Sequence, residues 1–234
     1  MKTIHQALSR GQANHGWLKS FHTFSFGSYY NSERMGFGAL RVINDDQVIP
    51  GAGFGTHPHK DMEIISVPLS GSLSHRDSVG NSSIIQRGEI QIMSAGTGIT
   101  HSEFNPSTKE AVNFLQIWVL PKKLGIQPRY EQRTFSAEER KNRFQLIVAP
   151  DGREGALTIN QDAFFSLVTL ETGKSLTYHN HYKTNGVYIF LIQGDLVASG
   201  ERLLDRDGLS CSGIQSMTFS ARAESEFLVM EVPV

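Results

Sequence analysis

Apolar and β-branched residues recur along the chain in short runs, each closed by Gly, Asn, Asp or Ser: residues 39–44, 63–69, 90–93, 112–120, 144–148, 164–170, 187–192 and 226–232. Runs of this length between turn residues predict the strands of an all-β sandwich or barrel. Turn signals at Ser70-Gly71, Gly80-Asn81, Arg87-Gly88, Gly173, Gln193-Gly194 and Asp207-Gly208 fall where hairpins need them, so ladders between sequential strands are expected. The one helix signal is Ser136 followed three residues on by Glu139. That pair reads as a capping box opening a short polar helix through Glu138 and Arg140, at the join between two halves.

A faint repeat supports two domains. His57-Pro58-His59 is echoed by His179-Asn180-His181, and Gly71 and Gly88 by Gly194 and Gly208. All three echoes lie about 120 residues on, in the same order, as a tandem duplication would leave them. The expected boundaries are 1–135 for an N-terminal metal-binding domain and 136–234 for a C-terminal domain without a complete metal site.

Composition narrows the function class without choosing within it. A formal charge of -1 with 19% charged residues carries neither the basic excess of a nucleic-acid binder nor a disordered composition. No apolar stretch approaches the roughly 20 residues of a spanning helix, and the opening residues lack the apolar centre of a signal peptide. The expectation is a soluble, unexported, cytoplasmic protein with no membrane contact; the single Cys211 fits a reducing compartment. Lys122, Lys123 and Arg129 read as a solvated connection.

The chemistry concentrates in pairs with a one-residue gap: His57-x-His59 and His101-x-Glu103. Strand side chains alternate, so residues i and i+2 leave the same face and can reach one point. On neighbouring strands inside a barrel, the three imidazoles and one carboxylate would converge as a borderline-soft set. Such a set suits one iron, manganese, nickel, copper or zinc ion, and suits magnesium or calcium poorly. Glu63 is a rival carboxylate by the same parity; otherwise it would orient a ligand imidazole. His5, His15, His22 and His75 read as structural histidines, His75 as hydrogen-bonding a neighbour. Trp17, Phe21, Phe24 and Phe26 read as barrel packing and Phe54 as a pocket wall. His179 and His181 lack further ligands, since Asn185 stands at the glutamate position and no histidine follows Gly208.

Gly51, His57, His59, Glu63 and Gly71 together resemble the first cupin motif, one residue long in its last spacer. Gly88, Gly98, His101 and Asn105 resemble the second, with Ser94 where proline is usual. The longer blocks HGWLKSFHTFSFGSYY, GFGTHPHKDMEI and DSVGNSSIIQRGEIQIMSAGTGITHSEFN resemble the pirin family, whose bacterial members include quercetin 2,3-dioxygenases. The resemblance implies a bicupin, two antiparallel β-barrel (double-stranded β-helix) domains, with His57, His59, His101 and Glu103 as metal ligands. It favours Glu103 over Glu63, which strand parity alone leaves open.

The implied cofactor is one divalent transition metal per chain, iron(II) foremost. The implied partners are dioxygen and a small flavonol-like aromatic whose heterocycle is opened with release of carbon monoxide. Glu103 then doubles as ligand and catalytic base. The alternative is a metal-containing, pirin-like regulator or redox sensor that acts by binding an unidentified protein without turnover.

Overall fold

The computed structural model describes residues 1–234. It holds twenty strands, three 3-10 turns and no α-helix, an all-β protein built as a bicupin. No helix is long and apolar enough to cross a membrane.

Residues 11–134 form two sheets. The larger has seven strands, in the order Arg129–Thr134, Glu89–Ser94, Glu63–Ser70, Val112–Val119, Leu40–Val48, Leu18–His22 and Gly11–Asn14. The smaller has four, in the order Gly53–His59, Ile99–Phe104, Ser72–Asp77 and Ser82–Gln86. They close a barrel over shared apolar clusters: Leu73 and Ile85 of the smaller sheet pack with Leu18, Val48, Val112 and Phe114 of the larger. Residues 145–233 supply eight strands of a nine-stranded sheet whose long strands are Asn185–Ala198 and Ser216–Pro233. The opening strand Lys2–His5 is the ninth strand of this sheet, antiparallel to Gly208–Cys211.

The largest core lies between the two barrels. Ile43, Ile65, Leu115 and Ile117 of the seven-stranded sheet pack there against Phe165, Tyr188, Phe190 and Leu228. A sheet buried on both faces needs apolar residues at consecutive positions, which explains the unbroken runs in the sequence. Alternation survives within them. Ile64 faces the N-terminal barrel interior and Ile65 the interface, while Val187, Ile189 and Leu191 fill the C-terminal barrel and Tyr188, Phe190 and Ile192 the interface. Gly38 (φ +54) marks a close approach of the halves, where a Cβ would meet the Pro233 carbonyl oxygen at 1.9 Å.

All eight predicted runs overlap strands, but three local expectations are corrected. Ladders mostly skip the next strand in sequence: Gly80-Asn81 closes a hairpin between directly paired strands, whereas Ser70-Gly71 and Arg87-Gly88 carry the chain from one sheet to the other. Gln193-Gly194 is a bulge inside the strand Asn185–Ala198, where the register with Ser216–Pro233 shifts. The capping box is absent: residues Ala137–Arg140 make one 3-10 turn, the Ser136 side chain caps nothing, and the Glu139 carboxylate instead accepts from Gln145 Nε2 at 3.0 Å.

Candidate metal centre

Three adjacent strands of the four-stranded sheet bring the one-residue-gap pairs together. His57 lies opposite His101, and on the other side of the central strand His101 lies opposite Asp77 and Glu103 opposite His75. Between His101 and Glu103 the register with Gly53–His59 slips by one residue. This bulge reverses the parity of the earlier positions, so that Phe54 lines the same cavity as His57 and His59. Gly53 permits the tight pairing, since a Cβ there would meet the Glu103 carbonyl oxygen at 2.2 Å.

His57, His59 and His101 each offer a nitrogen within 4.8 Å of the others. The Gly55 carbonyl, inside the bulge, accepts from His57 Nδ1 at 2.8 Å, which frees Nε2. His101 is 1% exposed, yet its Nε2 has no partner, as expected of an atom reserved for a metal. Burial, then the His57, His59 and His75 imidazoles, push His101 down to about 2. Burial and His57 bring His59 to about 4. Both rings are therefore neutral at physiological pH, the state a metal requires. The donor set, three imidazoles beside a carboxylate, fits a divalent transition metal.

Glu103 falls in a second close group with His101 and His75, sharing only His101 with the trio. Its carboxylate spans the barrel to the seven-stranded sheet, where Oε2 accepts from Gln116 Nε2 at 2.7 Å and Oε1 from Ser66 Oγ at 3.3 Å. Burial first, then the charge of Asp46, raises it to about 7 against those two hydrogen bonds.

Glu63 lies elsewhere. It shares parity with Ile65 and so faces the interface, where Oε2 accepts from Ser94 Oγ at 2.7 Å and from the Asn160 amide at 3.2 Å. It bonds no imidazole, so the orienting role expected of it is corrected. Parity counted from His57 does not survive the turn at Asp61 (φ 48) that starts a strand of the other sheet. The residue beside His101 is instead His75, the histidine read from the sequence as hydrogen-bonding a neighbour. His75 Nδ1 lies 3.4 Å from His101 Nδ1, and its Nε2 lies 3.2 Å from Asp77 Oδ2. His75-Arg76-Asp77 has the same one-residue gap as the two candidate ligand pairs, and that was the available signal.

A cavity of about 580 Å³ opens over His57, His59 and Glu103. Trp17, Phe26, Phe54 and Trp118 form its aromatic walls. Phe54 is the wall expected; Trp17 and Phe26 join it, while Phe24 is core and Phe21 lies under the Arg10 guanidinium. His15 and His22 also line the cavity, and His5 instead bonds Tyr188. Four polar atoms among the lining residues are buried without partners: His22 Nδ1, Asn44 Oδ1, Asp46 Oδ1 and Trp118 Nε1.

In the second barrel, His181 stacks on Phe164 with ring centroids 3.9 Å apart. Neither it nor His179 belongs to a group of three potential ligands. Arg129, expected in solvent, is half-buried between Glu131, Ser94 Oγ and the Thr158 carbonyl.

Comparison with known proteins agrees with this architecture. The Pirin family model matches residues 3–119 and the model of the quercetinase C-terminal cupin domain residues 146–232. Quercetin 2,3-dioxygenase of Escherichia coli K12 is 46% identical over 98% of both chains. A pirin-like protein of Caulobacter vibrioides is 37% identical over 94% of this chain and 95% of its own. The crystal structure of the E. coli bacterial pirin YhhW in complex with nickel(II) superposes with a TM-score of 0.95 at 44% identity, covering 100% of this chain and 99% of that one. Related along its whole length to proteins of these names, the chain belongs to the pirin family.

Proposed function

We propose that this pirin is a metal-dependent dioxygenase that opens the heterocycle of flavonols such as quercetin with release of carbon monoxide. One metal would be held by His57, His59, His101 and Glu103. The observation that carries this reading is the juxtaposition of three imidazoles and a buried carboxylate at one wall of an aromatic cavity. The nickel(II) complex of the E. coli relative supports a divalent ion, and iron(II) is proposed as one of the redox-active ions that the donor set suits. When bound, the metal supplies Lewis acidity toward the substrate oxygen and an electron path to dioxygen.

The chain's own residues bind, orient and move a proton. The rings of Trp17, Phe26, Phe54 and Trp118 offer faces and edges to a flat aromatic ligand and keep water from it. The polar side chains of Asn44, Asp46 and Gln116 among the lining residues match a ligand that carries several hydroxyl groups. Glu103 accepts the proton of the flavonol 3-hydroxyl, while Gln116 and Ser66 hold its carboxylate against the cavity wall. The Gly55 carbonyl fixes the His57 ring, and His75 fixes that of His101.

The test is aerobic incubation of the metal-loaded protein with quercetin and with the matched flavone that lacks the 3-hydroxyl. Quercetin is expected to disappear with matching dioxygen uptake and carbon monoxide release, and the flavone to persist. If no metal supports dioxygen uptake or flavonol binding, the protein-binding regulator becomes the better account.

A further inference from the structure

A second cavity, of about 160 Å³, lies between the halves and shares no lining residue with the cavity over the metal centre. Its charged lining is Arg87, Arg140, Arg206 and Glu226, with Asn113, Ser70 and Gln193 as neutral polar residues. Three guanidiniums thus meet one carboxylate. Glu226 divides its oxygens between Arg87 Nη2 and Arg140 Nη2, both at 3.1 Å. Arg206 Nε reaches Asp45 at 3.5 Å, but Asp45 also receives Arg10 Nη1 at 3.3 Å. Each carboxylate serves two guanidiniums, so positive charge is left in excess where burial makes unpaired charge costly.

Unused donors accompany the unmatched charge. Arg140 is 6% exposed and its Nε has no partner; Nη1 of Arg206 is likewise buried and unpartnered. The backbone of Arg206 is held at φ +68, a left-handed conformation that glycine or asparagine adopts with less strain. What an arginine adds there is a guanidinium carried from the C-terminal half to Asn113 Oδ1 of the N-terminal half, at 3.2 Å.

We infer that this cavity binds a small tetrahedral oxyanion, of the phosphate or sulfate type, between the guanidiniums of Arg140 and Arg206, with Arg87 at its mouth. The space is too small for a nucleotide or a flavonol. Planar guanidiniums match oxyanions with paired, charge-assisted hydrogen bonds, whereas an apolar or cationic occupant would leave the donors unmet. The lining comes from both halves, so an ion bound there stabilises their association by mass action.

The experiment titrates the metal-loaded protein with inorganic phosphate at constant ionic strength, chloride making up the balance, and reads heat of binding and Tm. Saturable binding of one phosphate per chain with a rising Tm is expected. Arg87→Gln, at a side chain 57% exposed, should fold normally and bind about tenfold more weakly. Arg206→Gln should weaken binding at least as much. A response no larger than that of chloride, or undiminished in both variants, overturns the inference and leaves a water-filled cavity. So does a response that His101→Ala abolishes while the two arginine variants retain it, because the ion then sits at the metal.

Discussion

His101 Nδ1 lies 3.4 Å from His75 Nδ1, with the far nitrogen of His75 directed at Asp77. Asp77 is itself fixed by the amides of Val79 and Asn81 and by the Asn81 side chain. With neutral rings, one assignment of protons satisfies the chain of contacts. His75 donates from Nε2 to Asp77 and accepts at Nδ1 from His101, which leaves a lone pair on His101 Nε2 facing the other two imidazoles.

The first prediction follows from that chain. His75→Leu should lower metal affinity by about 10–100-fold, as expected when a ligand imidazole loses its orienting partner. Asp77→Asn should lower it less, because an amide oxygen still accepts from His75. Competition against a chelator of known affinity measures both. An unchanged dissociation constant in His75→Leu would show that the barrel alone orients His101.

The two glutamates separate by the faces they occupy. Glu103→Gln removes the proposed anionic ligand and base, so metal binding should weaken and turnover should stop even with metal in excess. Glu63→Gln alters a carboxylate that bonds Ser94 and Asn160 at the interface. Its metal content should match wild type, with a stability change of about 1 kcal/mol, since the amide oxygen keeps the acceptor role. Metal analysis and denaturant unfolding of the two variants side by side decide this. Loss of metal in Glu63→Gln alone would reverse the assignment.

The strand ladder explains which parts of the centre could be read from the chain. His57/His59 and His101/Glu103 were legible because a period of two is local and needs no knowledge of neighbouring strands. Glu63 was not separable from Glu103 that way, because parity names a face only within one strand and Glu63 begins a strand of the other sheet. Asn44 and Asp46 were hidden for a related reason. They line the cavity from a strand whose alternate residue Ile43 packs between the barrels. The bulge that turns Phe54 inward has no signature beyond Gly53 and Gly55. The pairing of Lys2–His5 with Gly208–Cys211 joins the two ends of the chain, beyond the reach of any local pattern.

That opening strand makes a separate prediction about acid. His5 is buried against Tyr188, with Nδ1 and the phenol oxygen 2.8 Å apart, and burial followed by the charge of Arg34 lowers it to about 4 from an ordinary 6.5. Between those values the unfolded chain binds a proton that the folded chain refuses. The contribution of His5 is therefore intact above pH 6.5 and is lost progressively as pH falls toward 4. Its full extent is on the order of 3 kcal/mol. Urea unfolding at pH 7 and pH 4.5 should show a smaller acid loss in His5→Gln than in wild type. Equal losses would mean that His5 is solvated and the strand undocked.

The ligand set is tested most directly by anomalous diffraction from crystals of the metal-loaded protein, recorded at the absorption edge of the bound metal. The account predicts one peak per chain, roughly 2.0–2.2 Å from a nitrogen of each of His57, His59 and His101 and from a Glu103 oxygen. A peak held by Glu63 or His75 in place of Glu103, or an equal second peak at His179 and His181, would contradict it.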